Sequence, residues 1–184
     1  YSSAASDVYK RQPTDQSREI PASSFTEIML EEVLRSLPFE DRRSFENASK
    51  GFIATLDPLT IERANGPPVL DLSKFGFLDN EAPPTVNPSL WRQAQLTAQH
   101  NGLFEVVEGI YQVRAFDISN MTLIQGETGW IIVDPLTSSE SSKAALGLAN
   151  EKIGHRDVVA VIHTHSHADH FAGVFGVISP EPVS

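Results

Sequence analysis

The feature that most constrains this chain is an apolar run, Val158–Ile162, that leads directly into the histidine-rich segment His163–His170, HTHSHADH. The run is rich in β-branched residues, which favour strands, and its length is typical of a buried strand. Four of the six histidines of the chain lie in the segment that follows. An imidazole-rich loop at the end of a buried strand is suited to hold a metal ion.

The spacing within this segment predicts two groups of metal ligands. His165 and His167 are two residues apart, so in an extended segment their side chains point the same way and can reach one ion. Asp169 and His170 follow where we expect the chain to turn toward a helix, and they can face a second ion. Neutral imidazole and carboxylate suit Zn²⁺. A histidine-rich surface loop is the alternative. His163, at the strand end, is expected to pack or to contact a ligand rather than to bind metal.

The pattern His-x-His-x-Asp-His formed by these residues resembles the signature of the metallo-β-lactamase superfamily. The resemblance implies that His165 and His167 bind one zinc ion and that Asp169 and His170 bind another, giving two Zn²⁺ per complete active site. Two such ions lie about 3.5–4 Å apart in bimetallic hydrolases and share a water or hydroxide. No catalytic residue is expected apart from the metal ligands, because the zinc-bound water is the attacking group.

Asp134 is the fifth candidate site residue. It ends a predicted strand, and the resemblance matches it to an aspartate that orients a zinc-ligating histidine through a hydrogen bond, which fixes the tautomer of that histidine. The alternative is an ordinary turn before Pro135.

Composition excludes several other functions. The formal net charge is -10 and no basic stripe is present, which argues against a nucleic-acid partner. The chain has no cysteine, so a zinc site must use histidine and carboxylate ligands alone. No run of 18 or more apolar residues predicts a membrane span. No signal peptide is visible, and the localisation stays open.

The first hundred residues predict helices and irregular structure. Residues 1–20 are expected to be a disordered leader, of which residues 1–12 lack an initiator Met and look like a translated sequencing adaptor. Residues 21–101 are expected to form a helical and irregular, proline-rich extension. Its predicted helices begin at a serine cap near Ser23 and Ser24, at Pro38, and at Asn87-Pro88; a short strand is predicted at 69–72.

From residue 102 the pattern changes to strands. The predicted strands are 104–107, 110–114, 121–124, 130–133 and 158–162, with a hairpin turn at 126–129 and a helix over 138–153. Strands followed by a helix, a strand and a metal loop form an α/β layered order.

Four separated segments, NPSLWRQAQL, LFEVVEGIYQVR, GWIIVDPLTSSES and THSHADHFAGV, are similar to the zinc-dependent alkylsulfatases of this superfamily. The resemblance runs from about Gly51 onward, and His163 departs from the tyrosine expected at its position. It implies an α/β fold, in which residues 102–184 are the first, truncated part of a metallo-β-lactamase-type αβ/βα sandwich. It also implies a small-molecule alkyl sulfate substrate and a homodimer for the full-length protein.

The predicted function is therefore zinc-dependent hydrolysis of alkyl sulfate esters by a metal-activated water. The chain is interpreted as an incomplete N-terminal fragment, expected to be inactive by itself because each zinc ion would lack ligands. Two alternatives stay open at this point. One is another hydrolase of the superfamily, acting on a thioester, lactone or β-lactam; the other is a non-catalytic truncated product.

Overall fold

The computed structural model describes residues 20–179, and the predicted leader therefore lies almost wholly outside the described residues. Helix α1 spans Ser24–Ser36, and its N-cap is Ser23, whose hydroxyl accepts from the Thr26 amide at 3.1 Å. Helix α2, Arg43–Ala48, is shorter than predicted, because residues 38–42 form a turn before it. None of the helices described here combines the length and apolar character needed to cross a membrane.

The proline-rich stretch contains more regular structure than its composition predicts. Strands β1 (Phe52–Ala54), β2 (Thr60–Ile61) and β3 (Leu70–Asp71) are followed by a 3-10 helix at Leu72–Asp79. Helix α3, Pro88–Gln99, begins as predicted: the Asn87 side chain accepts from the Ser89 amide at 2.8 Å. Strands of two or three residues have no measurable hydrophobic period, which is why β1 and β2 could not be predicted.

A six-stranded sheet in the order β1-β4-β5-β6-β7-β8 forms the centre of the molecule. Its remaining strands are β4 (Gly102–Val107), β5 (Ile110–Arg114), β6 (Met121–Gln125), β7 (Trp130–Val133) and β8 (Val158–Ile162). Neighbouring strands are antiparallel except β7 and β8, which are parallel and are connected through helix α4, Ser139–Lys152. The mixed sheet and its helices match the α/β fold class that the sequence predicts.

Strand β1 shows that the extension and the sheet are physically continuous. Phe52 lies opposite Phe104 of β4, and the two rings meet edge to face at 5.4 Å. The extension thus contributes the first strand of the sheet. The domain boundary between residues 101 and 102 stays a prediction.

The core lies between the sheet and α4. Buried and half-buried residues alternate along β6 and β7, as the pleat of a strand requires. Leu123 and Ile132 are directly opposite each other on adjacent strands, and neither is exposed. Helix α4 covers this face with three buried side chains, Ala145, Leu148 and Ala149.

Strand β8 is less buried than predicted. Val158 and Val161 pack against the core, but Val159 is 52% exposed and Ile162 is 48% exposed. The reason is position: β8 is the last strand of the sheet, and within residues 20–179 one of its faces stays uncovered. The strand ends at Ile162, so His163 is the first residue of the loop rather than a strand residue.

The parallel pairing of β7 and β8 determines where functional side chains meet. Parallel strands have their carboxyl ends at the same edge of a sheet, and Asp134 follows β7 as His163 follows β8. The amide of Asp134 donates to the carbonyl of Ile162 at 2.9 Å, which joins the two strand ends directly. The histidine-rich segment therefore begins beside Asp134.

We expect Leu123→Ala to lower the free energy of unfolding of the full-length protein by about 2–5 kcal/mol, because it leaves a cavity in the fully buried core. Chemical denaturation followed by tryptophan fluorescence measures the loss. Val107→Ala is the control: Val107 is 57% exposed on β4, and its truncation should cost at most about 1 kcal/mol. Equal losses in the two variants would contradict the described core.

Candidate metal centre

The metal loop, residues 163–170, has an extended first part and a helical last turn. His167 is extended, with φ -74° and ψ 143°, and Ala168–His170 form a 3-10 turn. The turn is closed by the His170 amide, which donates to the His167 carbonyl at 3.0 Å. This change of backbone conformation places His170 next to His165.

All four predicted ligands lie in one cluster. His165 Nε2 and His167 Nδ1 are 3.1 Å apart, and His170 Nε2 and Asp169 Oδ2 are also 3.1 Å apart. The two pairs adjoin, since the rings of His165 and His170 have centroids 4.0 Å from each other. The structure thus brings the four residues into one cluster, and their division between two ions stays a prediction.

The donor set fits a zinc ion in kind and in spacing. Two ligand atoms at about 2.0–2.2 Å from one tetrahedral ion lie about 3.3–3.6 Å apart, which is a few tenths of an ångström more than either 3.1 Å pair. Within residues 20–179, no three His, Asp or Glu side chains already form a set that could hold an ion. An ion held here therefore requires further ligands.

The Asp134 carboxylate anchors this cluster through hydrogen bonds to Thr164 and His170. One carboxylate oxygen accepts from the Thr164 amide at 2.8 Å, and the other accepts from the Thr164 hydroxyl at 2.7 Å. The second oxygen also lies 2.8 Å from Nδ1 of His170. A neutral His170 that donates its Nδ1 hydrogen to Asp134 keeps its Nε2 lone pair toward Asp169, where a metal can accept it.

Asp134 and His170 each stabilise the charged form of the other. Burial alone would raise the pKa of Asp134, but hydrogen bonds from the Thr164 amide, from His170 and from the Thr164 hydroxyl outweigh it and lower that pKa. The hydrogen bond to Asp134 raises the pKa of His170; partial burial opposes this, and the Asp169 and Asp134 charges add to it. Without metal, His170 therefore keeps its proton to a higher pH than an ordinary histidine.

Two residues that were not predicted as site residues, Thr164 and Ser119, also help to anchor the metal loop. Thr164 binds Asp134 as described, and Ser119, which is buried, donates its hydroxyl to the Asp169 carbonyl at 2.5 Å. Ser119 lies in the β5–β6 connection, 50 residues away in sequence. Thr164 is within the motif and could have been weighed. Nothing in the sequence marks Ser119, because its role depends on how the sheet places that connection.

His163 lies beside the cluster and makes a different set of contacts. Its Nδ1 is 3.0 Å from the carbonyl oxygen of His170, and its ring packs edge to face on Phe171. Its described partners are therefore loop backbone and an aromatic ring, in keeping with the expected packing role.

Two glycines hold the chain after the metal loop against the connection between β7 and α4. The amide of Gly173 donates to the Leu136 carbonyl at 2.8 Å. A Cβ at Gly173 would lie 2.2 Å from the Pro135 carbonyl oxygen, and one at Gly176 would lie 2.2 Å from that of Ser139. Both positions are closed to any side chain, so the path of the chain leaving the loop depends on them.

The chain is similar in sequence to known proteins. Residues 114–184 match the family model of the metallo-β-lactamase superfamily. The chain is 49% identical over 165 residues to a linear primary-alkylsulfatase from Pseudomonas sp., covering 89% of this chain and 24% of the relative. It is 47% identical over 153 residues to an alkyl/aryl-sulfatase of Saccharomyces cerevisiae, covering 83% of this chain and 24% of the relative.

A solved structure shows the same backbone. The stereoselective inverting sec-alkylsulfatase from Pseudomonas sp. superposes with a TM-score of 0.80 at 46% identity, over 88% of this chain and 25% of that one. The chain thus spans about a quarter of the length of the curated relatives it matches.

Gly173→Ala and Gly147→Ala should change stability in opposite directions. The first substitution drives a Cβ into backbone and should cost about 1–3 kcal/mol; the second lies in α4 with nothing within 4 Å and should gain about 0.5–1 kcal/mol. Thermal unfolding of the two variants of the full-length protein, measured side by side, tests the pair. An unchanged or raised midpoint in Gly173→Ala would show that the described contact is wrong.

Proposed function

We propose that this chain, whose residues 114–184 belong to the metallo-β-lactamase superfamily, is part of a zinc-dependent hydrolase of alkyl sulfate esters. The observation that carries the proposal is the cluster of two donor pairs at the joined ends of β7 and β8. It occurs in a chain that is 46–49% identical to three alkylsulfatases. The superfamily model alone fits many hydrolases, but identity of this degree over most of the chain favours the sulfatase among them.

The superfamily implies a divalent metal ion, and we infer that it is zinc and that two ions bind. His165 and His167 would hold one ion, and Asp169 and His170 would hold the other. Since a zinc site takes three or four protein ligands, each pair requires further ligands from outside the described residues. The resemblance to the superfamily supports this division, and the proximity of all four side chains is compatible with it.

Zinc, when bound, supplies Lewis acidity toward the sulfate ester and lowers the pKa of water. The contribution of this chain is to hold the donors in place beforehand. Asp134 fixes the His170 ring and its tautomer, and the same carboxylate anchors the loop through Thr164. Ser119 holds the backbone of Asp169, which limits the positions its carboxylate can reach. Such preorganisation lowers the reorganisation that accompanies reaction.

The substrate assignment is tested on the full-length protein. Release of inorganic sulfate from dodecyl sulfate should require zinc and should stop on chelation. A thioester, a lactone and a β-lactam are assayed in parallel, because each would identify a different hydrolase of the superfamily. Turnover of one of these and none of dodecyl sulfate would overturn the proposal.

We also infer that the full-length protein is a homodimer. The resemblance to the alkylsulfatases supports this inference, and light scattering coupled to size-exclusion chromatography measures the mass.

His167→Ala and Asp169→Ala should each remove bound zinc and nearly all hydrolysis from the full-length protein, because each takes one donor from a different pair. Elemental analysis of the purified variants gives the zinc content. His163→Phe is the matched control within the same loop, and its zinc content should equal that of the unsubstituted protein. A full complement of zinc in His167→Ala would refute the ligand assignment.

Asp134→Asn should weaken zinc binding by about 10–100-fold while leaving the fold intact, because an amide keeps the size of the side chain but loses the charge that holds His170. Competition with a chromophoric chelator measures the affinity. Asp157→Asn is the control, since its carboxylate is 91% exposed and remote from these contacts. Equal zinc affinity in both variants would remove Asp134 from the site.

A further inference from the structure

The extension and the sheet line an open cavity of about 610 Å³, here called the extension cavity. Its volume lies within the range of about 300–1,000 Å³ that small-molecule sites occupy. The walls come from the β3 region, α3 and the β5–β6 connection, and their apolar side chains include Leu70, Leu72, Phe75, Ala94, Ala98 and Phe116. None of the four predicted metal ligands lines it, so it is separate from the metal loop.

Polar groups in the cavity wall are already engaged with one another. The Asp117 carboxylate accepts from the amide and the hydroxyl of Thr137, each at 2.9 Å. Ser138 caps α4 by accepting from the Ser141 amide at 3.0 Å. A ligand that fills the cavity therefore finds apolar surface and few free hydrogen-bonding groups, which favours an alkyl chain over a polar molecule.

Arg63 provides a single positive charge at this cavity. Its side chain is exposed, and no ion pair between residues 20 and 179 includes it. A guanidinium group offers several donors to the oxygens of a sulfate or carboxylate. The cavity thus has apolar walls and two charged lining residues: Arg63, which makes no ion pair among residues 20–179, and Asp117, whose carboxylate is hydrogen-bonded to Thr137.

Large apolar side chains continue the cavity onto the surface. Phe75 is 44% exposed, Leu90 is 68% exposed and Ile118 is 87% exposed, and all three line the cavity. An apolar rim of this kind lets a chain longer than the cavity remain in contact with apolar surface where it emerges.

We propose that the extension cavity binds one single-chain alkyl sulfate, with the alkyl chain against the apolar walls and the anionic head at Arg63, as a second site distinct from the metal centre. The ligand class, an alkyl chain with an anionic head, follows from the walls and from Arg63. The choice of sulfate as the head group rests on the proposed function. This second site would hold the alkyl sulfate on the same chain as the metal centre but away from the predicted metal ligands.

Binding is measured by calorimetry on the full-length protein, stripped of metal by chelation so that no turnover occurs. Dodecyl sulfate is titrated below its micellar concentration and compared with decyl sulfate. Because burial of each methylene changes affinity about fourfold, decyl sulfate should bind about fifteenfold more weakly. Dodecanoate tests whether another anionic head is accepted, and dodecanol tests whether the head is needed.

Two pairs of variants locate the binding. Ala94→Trp fills the cavity from α3 and should abolish one binding event, whereas Gln99→Trp, on the same helix and outside the cavity lining, should not. Arg63→Gln should weaken dodecyl sulfate about two- to fivefold and leave dodecanol unchanged. Lys143→Gln removes the same charge from an exposed position on α4 and should change neither. Thermal unfolding and zinc content verify that each variant is folded.

The proposal is overturned if folded Ala94→Trp binds dodecyl sulfate as the unsubstituted protein does. It is equally overturned if the only binding event appears after zinc is restored, since the metal centre would then account for all binding. Two events without any sulfate release would support the cavity and contradict the proposed function. Sulfate release without binding at the extension cavity would support the proposed function and contradict the second site.

Discussion

One carboxylate, that of Asp134, links the separate parts of the candidate site. It receives the backbone and hydroxyl hydrogens of Thr164 and lies against the ring of His170. The three contacts come from a group that is 10% exposed, where competition from water is weak. Without this carboxylate, the Thr164 amide and the His170 ring would lose the hydrogen-bond partner that they share. The position of the predicted ligands relative to the sheet therefore depends on a residue that is not itself a predicted ligand.

The fold prepares this arrangement through the one parallel pair among the described strands of the large sheet, β7 and β8. Antiparallel hairpins from β4 to β7 bring the chain to Asp134, and α4 then carries it back so that β8 runs parallel to β7. Both strand ends thereby face the same edge. Gly173 and Gly176 close the loop back onto α4, so the segment is fixed at its beginning by strand pairing and at its end by steric contact.

Sequence alone predicted the parts of this structure that depend on local chemistry. The strands from 104 to 133, helix α4 and the caps of α1 and α3 follow from apolar alternation and capping side chains. The two-residue spacing of His165 and His167 predicted that their side chains lie together, whereas their role as metal ligands stays a prediction. Three features lay outside its reach. Strand β1 is too short to have a period, β8 is exposed because of its position in the sheet, and Ser119 acts through a contact between residues far apart in sequence.

The β5–β6 connection contributes both to the wall of the extension cavity and, through the Ser119 hydroxyl, to the support of the metal loop. Residues 115–118 line the cavity, and the next residue holds the carbonyl of Asp169. The extension, although it supplies none of the predicted ligands, therefore packs against the same loop that supports one of them.

Between residues 20 and 179, the non-glycine residues with left-handed backbone are Ala115, Asp134 and Leu136, with φ of 58°, 57° and 63°. Each conformation costs on the order of 1–3 kcal/mol, and all three lie in connections that contact the metal loop or lead to it. The strained backbone conformations of these residues thus lie in the connections around the donor cluster. The packing and hydrogen bonds of these connections hold the strained conformations in place, since Leu136 is fully buried and the Asp134 side chain is only 10% exposed.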